Sequence, residues 1–133
     1  MKDFSIKNPD KREPSYLRLH RSKRNIDGKF NLMQFKEGDF FIAYLPEIKM
    51  SAYGDTPSEA LDMLVDTLVN YLNNLMSLSR KEMESELARF GFFHGTITQK
   101  NYEYKGPYVD VKGVLQEFNL PEDTEVQVSE LVG

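Results

Sequence analysis

The stretch 54–77 constrains the fold of this chain more than any other. Thr56 is a favourable helix N-cap, Pro57 follows at the first helical position, and Glu59 completes a capping-box pattern. The apolar residues beyond this start recur at spacings of three and four: Leu61, Leu64, Val65, Leu68, Leu72 and Leu75. This pattern predicts an amphipathic helix over 57–77 whose apolar face must pack against another layer.

Short strands are predicted on both sides of this helix. Before it we expect a weak strand over 16–20, a turn at Asp27-Gly28, and strands over 30–36, 40–45 and 50–53. After it we expect a short helix over 80–90, a strand over 92–98, a loop over 99–108, a strand or helix start over 108–114, and an alternating strand over 125–131. The predicted class is α+β, a small antiparallel sheet of three N-terminal strands plus a later strand, with the long helix on one face.

Charge is unevenly distributed along the 133 residues, a length that fits one domain. Residues 1–29 carry nine basic and four acidic residues, a net charge of +5, whereas residues 30–133 have a net charge of −9. We therefore divide the chain into a basic N-terminal extension (1–29), a core domain (30–98) and a C-terminal extension with a terminal strand (99–133). An acidic body favours a basic partner over nucleic acid.

Several classes of chemistry find little support in the sequence. The absence of cysteine excludes disulfides, thiol catalysis and thiolate metal sites. His20 and His94 have no companion at metal-ligand spacing, and no cofactor motif is present. The acids that a two-metal nuclease would need each have a structural explanation in a turn, a cap or a polar helix face: Asp39, Asp55, Asp62 and Asp66. We expect no catalytic residues, no metal and no cofactor.

Membrane insertion and export are not predicted either. No apolar run approaches the length of a membrane span, and the N-terminus has no apolar signal-peptide core. We expect a cytoplasmic protein. A separate possibility is contact with RNA through a basic cluster and nearby tyrosines that could stack on bases, namely Arg18, Arg21, Lys23 and Arg24 with Tyr16, Tyr44, Tyr53 and Tyr71.

Two segments resemble the HicB antitoxin family. The first is a glycine turn followed by a strand, Glu37-Gly38-Asp39-Phe40-Phe41-Ile42-Ala43-Tyr44-Leu45-Pro46-Glu47. The second is a helix start, Gly54-Asp55-Thr56-Pro57-Ser58-Glu59-Ala60-Leu61. The resemblance covers about 30–78. It departs from the family at Ile48-Lys49-Met50-Ser51, where the family has Pro-Gly-Cys.

This resemblance implies a partial ribonuclease H-like fold and binding to a HicA-type toxin, a small basic ribonuclease that cleaves mRNA. The implied function is non-enzymatic: the protein covers the RNA-binding face of the toxin and blocks it. We predict Asp39, Glu47 and Asp55 as partner contacts, since they lie at turn and strand ends. No helix-turn-helix or ribbon-helix-helix pattern follows the core, so direct DNA binding is not expected.

Two other functions stay open alongside the antitoxin interpretation. The chain could be a stand-alone RNA-binding module, or a nuclease that has kept a ribonuclease H-like site. We also predict a homodimer, because a terminal strand over 125–131 would offer an edge for pairing with a second copy. Pairing of this strand within its own sheet, for example beside 30–36, is the alternative.

Overall fold

A computed structural model describes residues 4–8, 13–20, 22–94 and 101–133. The elements follow in the order β1 (Ser5–Lys7), β2 (Tyr16–His20), β3 (Asn25–Glu37), β4 (Phe40–Leu45), β5 (Met50–Gly54), α1 (Pro57–Ser77), α2 (Arg80–Arg89), β6 (Phe92–His94), β7 (Asn101–Tyr104), α3 (Val111–Glu117) and β8 (Gln127–Val132). The predicted α+β class is confirmed, with eight strands in one antiparallel sheet.

Strand β3 organises the sheet. One of its edges pairs first with β2, at residues 25–29, and then with β4, at residues 33–37. Its other edge pairs with β8 over residues 29–34, and β8 in turn pairs with β1. Strand β2 continues to β7 and β6, while β4 continues to β5. A single long strand thereby holds three neighbours.

Helix α1 has the predicted bounds, and its apolar stripe packs on the sheet as expected. Leu64, Leu68 and Leu72 are fully buried in one cluster with side chains of β3, β4 and β5. The Thr56 side chain accepts a hydrogen bond from the Glu59 amide at 3.1 Å. The reciprocal contact differs from a standard capping box, because the Glu59 carboxylate accepts from the Asp55 amide.

Helix α2 begins at a complete capping box. The Ser79 hydroxyl accepts from the Glu82 amide, and the Glu82 carboxylate accepts from the Ser79 amide. Hydrogen bonding of the Glu82 carboxylate with the side chain and then the backbone of Ser79 lowers the pKa of Glu82. Gly91, at φ +89°, ends the helix in the left-handed region that favours glycine.

The predicted turn at Asp27-Gly28 is wrong, because both residues lie inside β3. The chain turns earlier, over residues 22–24, where Arg24 has a φ of +48°. Gly28 serves a different purpose from a turn residue. A Cβ at this position would lie 2.9 Å from a methyl group of Leu17, so the glycine allows β2 to approach closely.

The predicted loop over 99–108 is also wrong in part. Residues 101–104 form β7, which pairs with both β2 and β6. The segment 108–114 becomes the start of α3, one of the two alternatives expected. The predicted strand over 92–98 is present as Phe92–His94, and its remainder, 95–98, lies outside the described residues.

The sheet is covered on both faces, not on one. Helices α1 and α2 cover the larger cluster, whereas α3 and its flanking segments cover a second cluster on the opposite face. In the second cluster the ring of Phe118 meets those of Phe35 and Tyr44 edge to face, at centroid distances of 5.1 and 5.0 Å. The C-terminal extension therefore contributes to the core.

The expected division at 29/30 does not coincide with a gap in packing, and the one at 98/99 lies outside the described residues. The first falls inside β3, and Leu17, Leu19 and Ile26 from the basic extension share the main cluster with the α1 leucines. Leu131 from the C-terminal extension belongs to that cluster as well. The terminal strand pairs with β3 over its whole length and with β1 over 130–132, so the alternative expectation, pairing within its own sheet, is confirmed.

Candidate functional site

An exposed aromatic patch lies beside the start of α1. Phe40 and Tyr53 are 47% and 61% exposed, and their rings meet edge to face at 5.6 Å. Met63, from the second turn of α1, is 54% exposed and lines the same groove of about 640 Å³. Exposed side chains of this size grouped together are typical of an interaction surface.

Carboxylates border this patch. Asp55, Glu59, Asp62 and Asp66 line the groove, and no basic residue is among its described lining residues. Gly54 brings them close to the aromatic rings, because a Cβ there would lie 2.7 Å from the Glu59 Cβ and 2.8 Å from the Ala60 nitrogen. The first turn of α1 thus packs directly on β5. We call this surface, Phe40, Tyr53 and Met63 with the four carboxylates, the acidic groove.

A second candidate site lies just beyond the end of β4, at Glu47. Along one edge of β3, the pairing with β2 ends at residue 29 and the pairing with β4 begins at residue 33. Asn31 lies in this gap. Glu47 Oε2 accepts hydrogen bonds from the Asn31 amide at 3.0 Å, from Asn31 Nδ2 at 2.8 Å and from the Ser15 hydroxyl at 2.6 Å.

The other oxygen of the same carboxylate is not satisfied in this way. Glu47 is only 5% exposed, and its Oε1 is buried with no hydrogen-bond partner among the residues that the structure describes. Burial raises the pKa of Glu47, while the hydrogen bonds from Ser15 and Asn31 lower it by a smaller amount. The electric field of this carboxylate contributes, after burial, to raising the pKa of Tyr104.

Glu47 lines a cavity of about 320 Å³, which we call the Glu47 cavity. Its walls are mostly apolar or aromatic, and its lining comprises Glu13, Pro14, Ser15, Asn31, Pro46, Glu47, Tyr104, Gly106, Pro107, Tyr108 and Val109. These residues come from the segment before β2, from β3, from the end of β4 and from the segment after β7. These segments are far apart in the sequence, so no short sequence motif predicts the cavity.

The three predicted partner contacts do not form one site. Asp55 lies in the acidic groove, and Asp39 lies in the adjacent turn between β3 and β4. Glu47 is buried, and its carboxylate is hydrogen-bonded to Asn31 at the β3 edge, so it lies apart from the other two. Its role as a partner contact stays a prediction.

Of the predicted RNA-contact residues, Arg18 lies beside acidic side chains. The Arg18 guanidinium lies 5.7 Å from the Tyr16 ring centroid, and Arg18 lies opposite Asp27 in the register of β2 and β3. Glu13 and Glu103 line the same surface depression as Arg18. Lys23 and Arg24 are exposed in the turn before β3, and Arg21 lies outside the described residues.

Two of the four tyrosines considered for base stacking are engaged inside the protein. Tyr44 is buried, and its hydroxyl donates to Glu117 Oε2 at 3.1 Å. Tyr71 donates to Glu86 Oε1 at 3.4 Å, and burial followed by the charge of Glu86 raises its pKa to about 12. Tyr53 is exposed, but it belongs to the acidic groove.

Among the described residues, neither histidine has two further metal-binding side chains beside it. His94 Nε2 lies 2.9 Å from Glu84 Oε1, and its ring packs on Tyr102 at 4.7 Å. His20 ends β2 in a half-buried position. Over the described ranges, no three His, Asp or Glu side chains come together in a way that could hold a metal ion. This includes Asp62 and Asp66, although both line the acidic groove.

Comparisons with protein-family models, with curated proteins and with solved structures each find no match for this chain. Among the described helices, none is both long enough and apolar enough to cross a membrane.

Proposed function

We propose that this chain is a non-enzymatic, HicB-like binding protein that pairs with a basic HicA-type mRNA ribonuclease and inhibits it. The observation that carries the proposal is the acidic groove, in which three exposed apolar side chains are bordered by four carboxylates. Exposed aromatic residues supply binding energy in protein interfaces, and a charged border sets the orientation and speeds association with a partner of opposite charge.

Inhibition in this proposal is steric. A ribonuclease must present basic residues to the phosphates of its substrate. Carboxylates of the acidic groove compete for those residues, while Phe40 and Tyr53 pack against apolar side chains between them. The proposed partner acts on mRNA, so the proposed place of action is the cytoplasm. The homodimer remains part of this proposal, now without the terminal strand as its interface.

The test uses the protein encoded beside this one, where it is small and basic, purified with and without the present chain. We expect the pair to form a complex and RNA cleavage by the neighbour to stop at equimolar ratio. The double variant Asp62→Lys/Asp66→Lys should weaken binding by roughly a hundredfold or more, because like charges then face each other.

The matched control is Glu122→Lys/Asp123→Lys, which makes the same charge change in an exposed turn far along the chain. This control variant should inhibit RNA cleavage by the neighbour as strongly as the unchanged protein does. If both double variants lose inhibition equally, inhibition depends only on the net charge of the protein. If Asp62→Lys/Asp66→Lys inhibits as well as the unchanged protein, the proposal is contradicted.

The alternative, a stand-alone RNA-binding module, is tested by titrating labelled single-stranded RNA with the chain alone. Binding that weakens in Arg18→Ala/Lys23→Ala/Arg24→Ala and falls steeply with salt would favour that alternative. Metal-dependent RNA cleavage by the chain alone, lost in Asp62→Asn or Asp66→Asn, would favour the nuclease.

A further inference from the structure

The Glu47 cavity lies apart from the acidic groove and is not used by the proposed function. The two sites share no lining residue. At about 320 Å³, the cavity is at the small end of the range for small-molecule sites. It also has the usual composition of such sites, apolar and aromatic walls with a few polar groups.

The charged side chains that line the cavity are all acidic. Glu13 and Glu47 are its charged residues, and no basic side chain is among the lining residues that the structure describes. Buried carboxylates are normally paired with a cation, because an isolated charge is costly in a medium of low polarity. The donors that reach Glu47 in the described chain, Ser15 and Asn31, are neutral.

Aromatic residues add a second preference for a cation. Tyr104 and Tyr108 line the cavity, and the negative face of an aromatic ring attracts ammonium and guanidinium groups. Tyr104 is held in place by a hydrogen bond from its hydroxyl to the Pro107 carbonyl at 2.9 Å. Tyr108 is 66% exposed and forms an outer wall.

The hydrogen bonds of Glu47 distinguish between the two kinds of organic cation. Its Oε2 already accepts three hydrogen bonds, so one oxygen, Oε1, is left for a ligand. A guanidinium group binds best to both oxygens of a carboxylate at once. An ammonium group is a compact charge that needs a single strong acceptor.

We propose that the Glu47 cavity binds a primary alkylammonium group, with the ammonium on Glu47 Oε1 and its alkyl stem between Tyr104, Tyr108 and the cavity prolines. Oε1 is buried, so the proposed contact requires the outer wall of the cavity to move before the ammonium reaches this oxygen. The cation can be a free small amine or the side chain of a lysine on another protein, since both present the same chemistry.

The experiment titrates the isotopically labelled full chain with n-butylammonium and follows the amide resonances of Asn31, Glu47 and Val109. We expect saturable shifts at these amides at concentrations of about 10 mM or below, as for a ligand of this size. n-Butylguanidinium should bind more weakly, and n-butanol, which has the same stem without the charge, should bind more weakly still.

Two variants test the assignment of residues. Glu47→Gln keeps the side-chain shape and should lower the affinity for n-butylammonium roughly tenfold or more, because a hydrogen bond to a charged acceptor is lost. Asp39→Asn removes the same charge from an exposed turn outside the cavity and should leave the affinity unchanged. If Glu47→Gln does not fold, Tyr108→Ala replaces it, and a severalfold loss of affinity is expected from this exposed position.

The source of the cation is decided by a second ligand, Nα-acetyl-lysine N-methylamide. Binding of n-butylammonium without binding of the lysine derivative supports a free amine as ligand, and binding of the lysine derivative at least as tight as that of n-butylammonium supports a lysine of a protein partner. No saturable shift with either ligand, equal binding of n-butanol, or unchanged affinity in both Glu47→Gln and Tyr108→Ala would overturn the proposal. None of these outcomes depends on ribonuclease inhibition, so the two proposals fail independently.

Discussion

At the scale of single residues, Glu47 balances two opposing effects. Its carboxylate substitutes for a strand at the gap in the β3 edge, where it satisfies the Asn31 amide. An unpaired buried amide would cost about 1–3 kcal/mol. The same burial removes the carboxylate from water, and this is the larger influence on its pKa, which is raised. The Glu47 carboxylate thus satisfies an amide at the edge of the sheet, but burial makes its charged form less favourable than it would be in water.

This shift predicts a pH dependence of stability. The folded protein holds the Glu47 proton to a higher pH than the unfolded chain, in which the pKa is near 4.5. Between that value and the raised folded pKa the native state binds more protons, so the contribution of Glu47 to the free energy of unfolding falls as pH rises. Glu47→Gln removes this contribution.

Urea unfolding over a pH series measures the effect. The stability of Glu47→Gln relative to the unchanged protein should increase as pH rises through this window. Ser15→Ala removes a hydrogen bond that lowers the pKa of Glu47, so it should extend the window to higher pH. A difference between Glu47→Gln and the unchanged protein that stays constant with pH would contradict the shift.

The sequence could not have placed Glu47 in this environment. It follows Pro46 in a segment of turn residues, where a carboxylate is ordinarily exposed. Its partners Ser15 and Asn31 are 32 and 16 residues away, and neither separation corresponds to a helix or strand period.

The exposure of Phe40, by contrast, has a signal in the sequence. Phe40 and Phe41 are consecutive in a strand, so their side chains point to opposite faces.

At the scale of elements, α1 was predictable because its local signals agree. The cap, the proline and the leucine spacing all indicate the same start and the same buried face, and both bounds are confirmed. Strand β3 gave conflicting signals. Asp27-Gly28 is favourable in a turn, but close packing against Leu17 requires a glycine within the strand. Tertiary contact overrides local preference at that position.

Leu68 tests the packing of α1 on the sheet. Its side chain is fully buried in the middle of the helix. Leu68→Ala should therefore lower the free energy of unfolding by about 2–5 kcal/mol, through lost burial and the cavity left behind. Asn70→Ala, two residues further on the exposed face, is the matched control and should change stability by less than about 0.5 kcal/mol. Similar effects of both substitutions would mean that the helix faces another way.

At the scale of the whole molecule, segments far apart in sequence complete one sheet. Strand β8, near the C-terminus, lies between β1 and the middle of β3. Alternation over 125–131 was enough to predict a strand but not its neighbours, because pairing depends on which edges the rest of the fold leaves open. The second cluster, under α3, was missed for a related reason. Met33, Phe35, Ile42 and Tyr44 belong to this cluster, and α3 with its flanking segments packs against it.

The position of β8 predicts what loss of the C-terminal strand will do. In a chain that ends at Asn119, β1 and β3 would each lose a neighbour, and the main cluster would lose Leu131, which is fully buried. We expect such a chain to lose cooperative urea unfolding and the dispersion of its amide resonances. Leu131→Ala in the full chain should cost about 2–5 kcal/mol and leave the fold intact, which separates the loss of one side chain from the loss of the strand.

This expectation also changes how the predicted homodimer must be measured. Truncation would unfold the monomer, so it cannot reveal an interface, and light scattering on the full chain is the appropriate measurement. The β3-facing edge of β8 is paired within the chain over its whole length, and its other edge is paired with β1 over 130–132, so neither of these stretches is open to a second copy. A chain ending at Asn119 that unfolds at the same urea concentration as the full chain would show that β8 is dispensable and contradict its internal position.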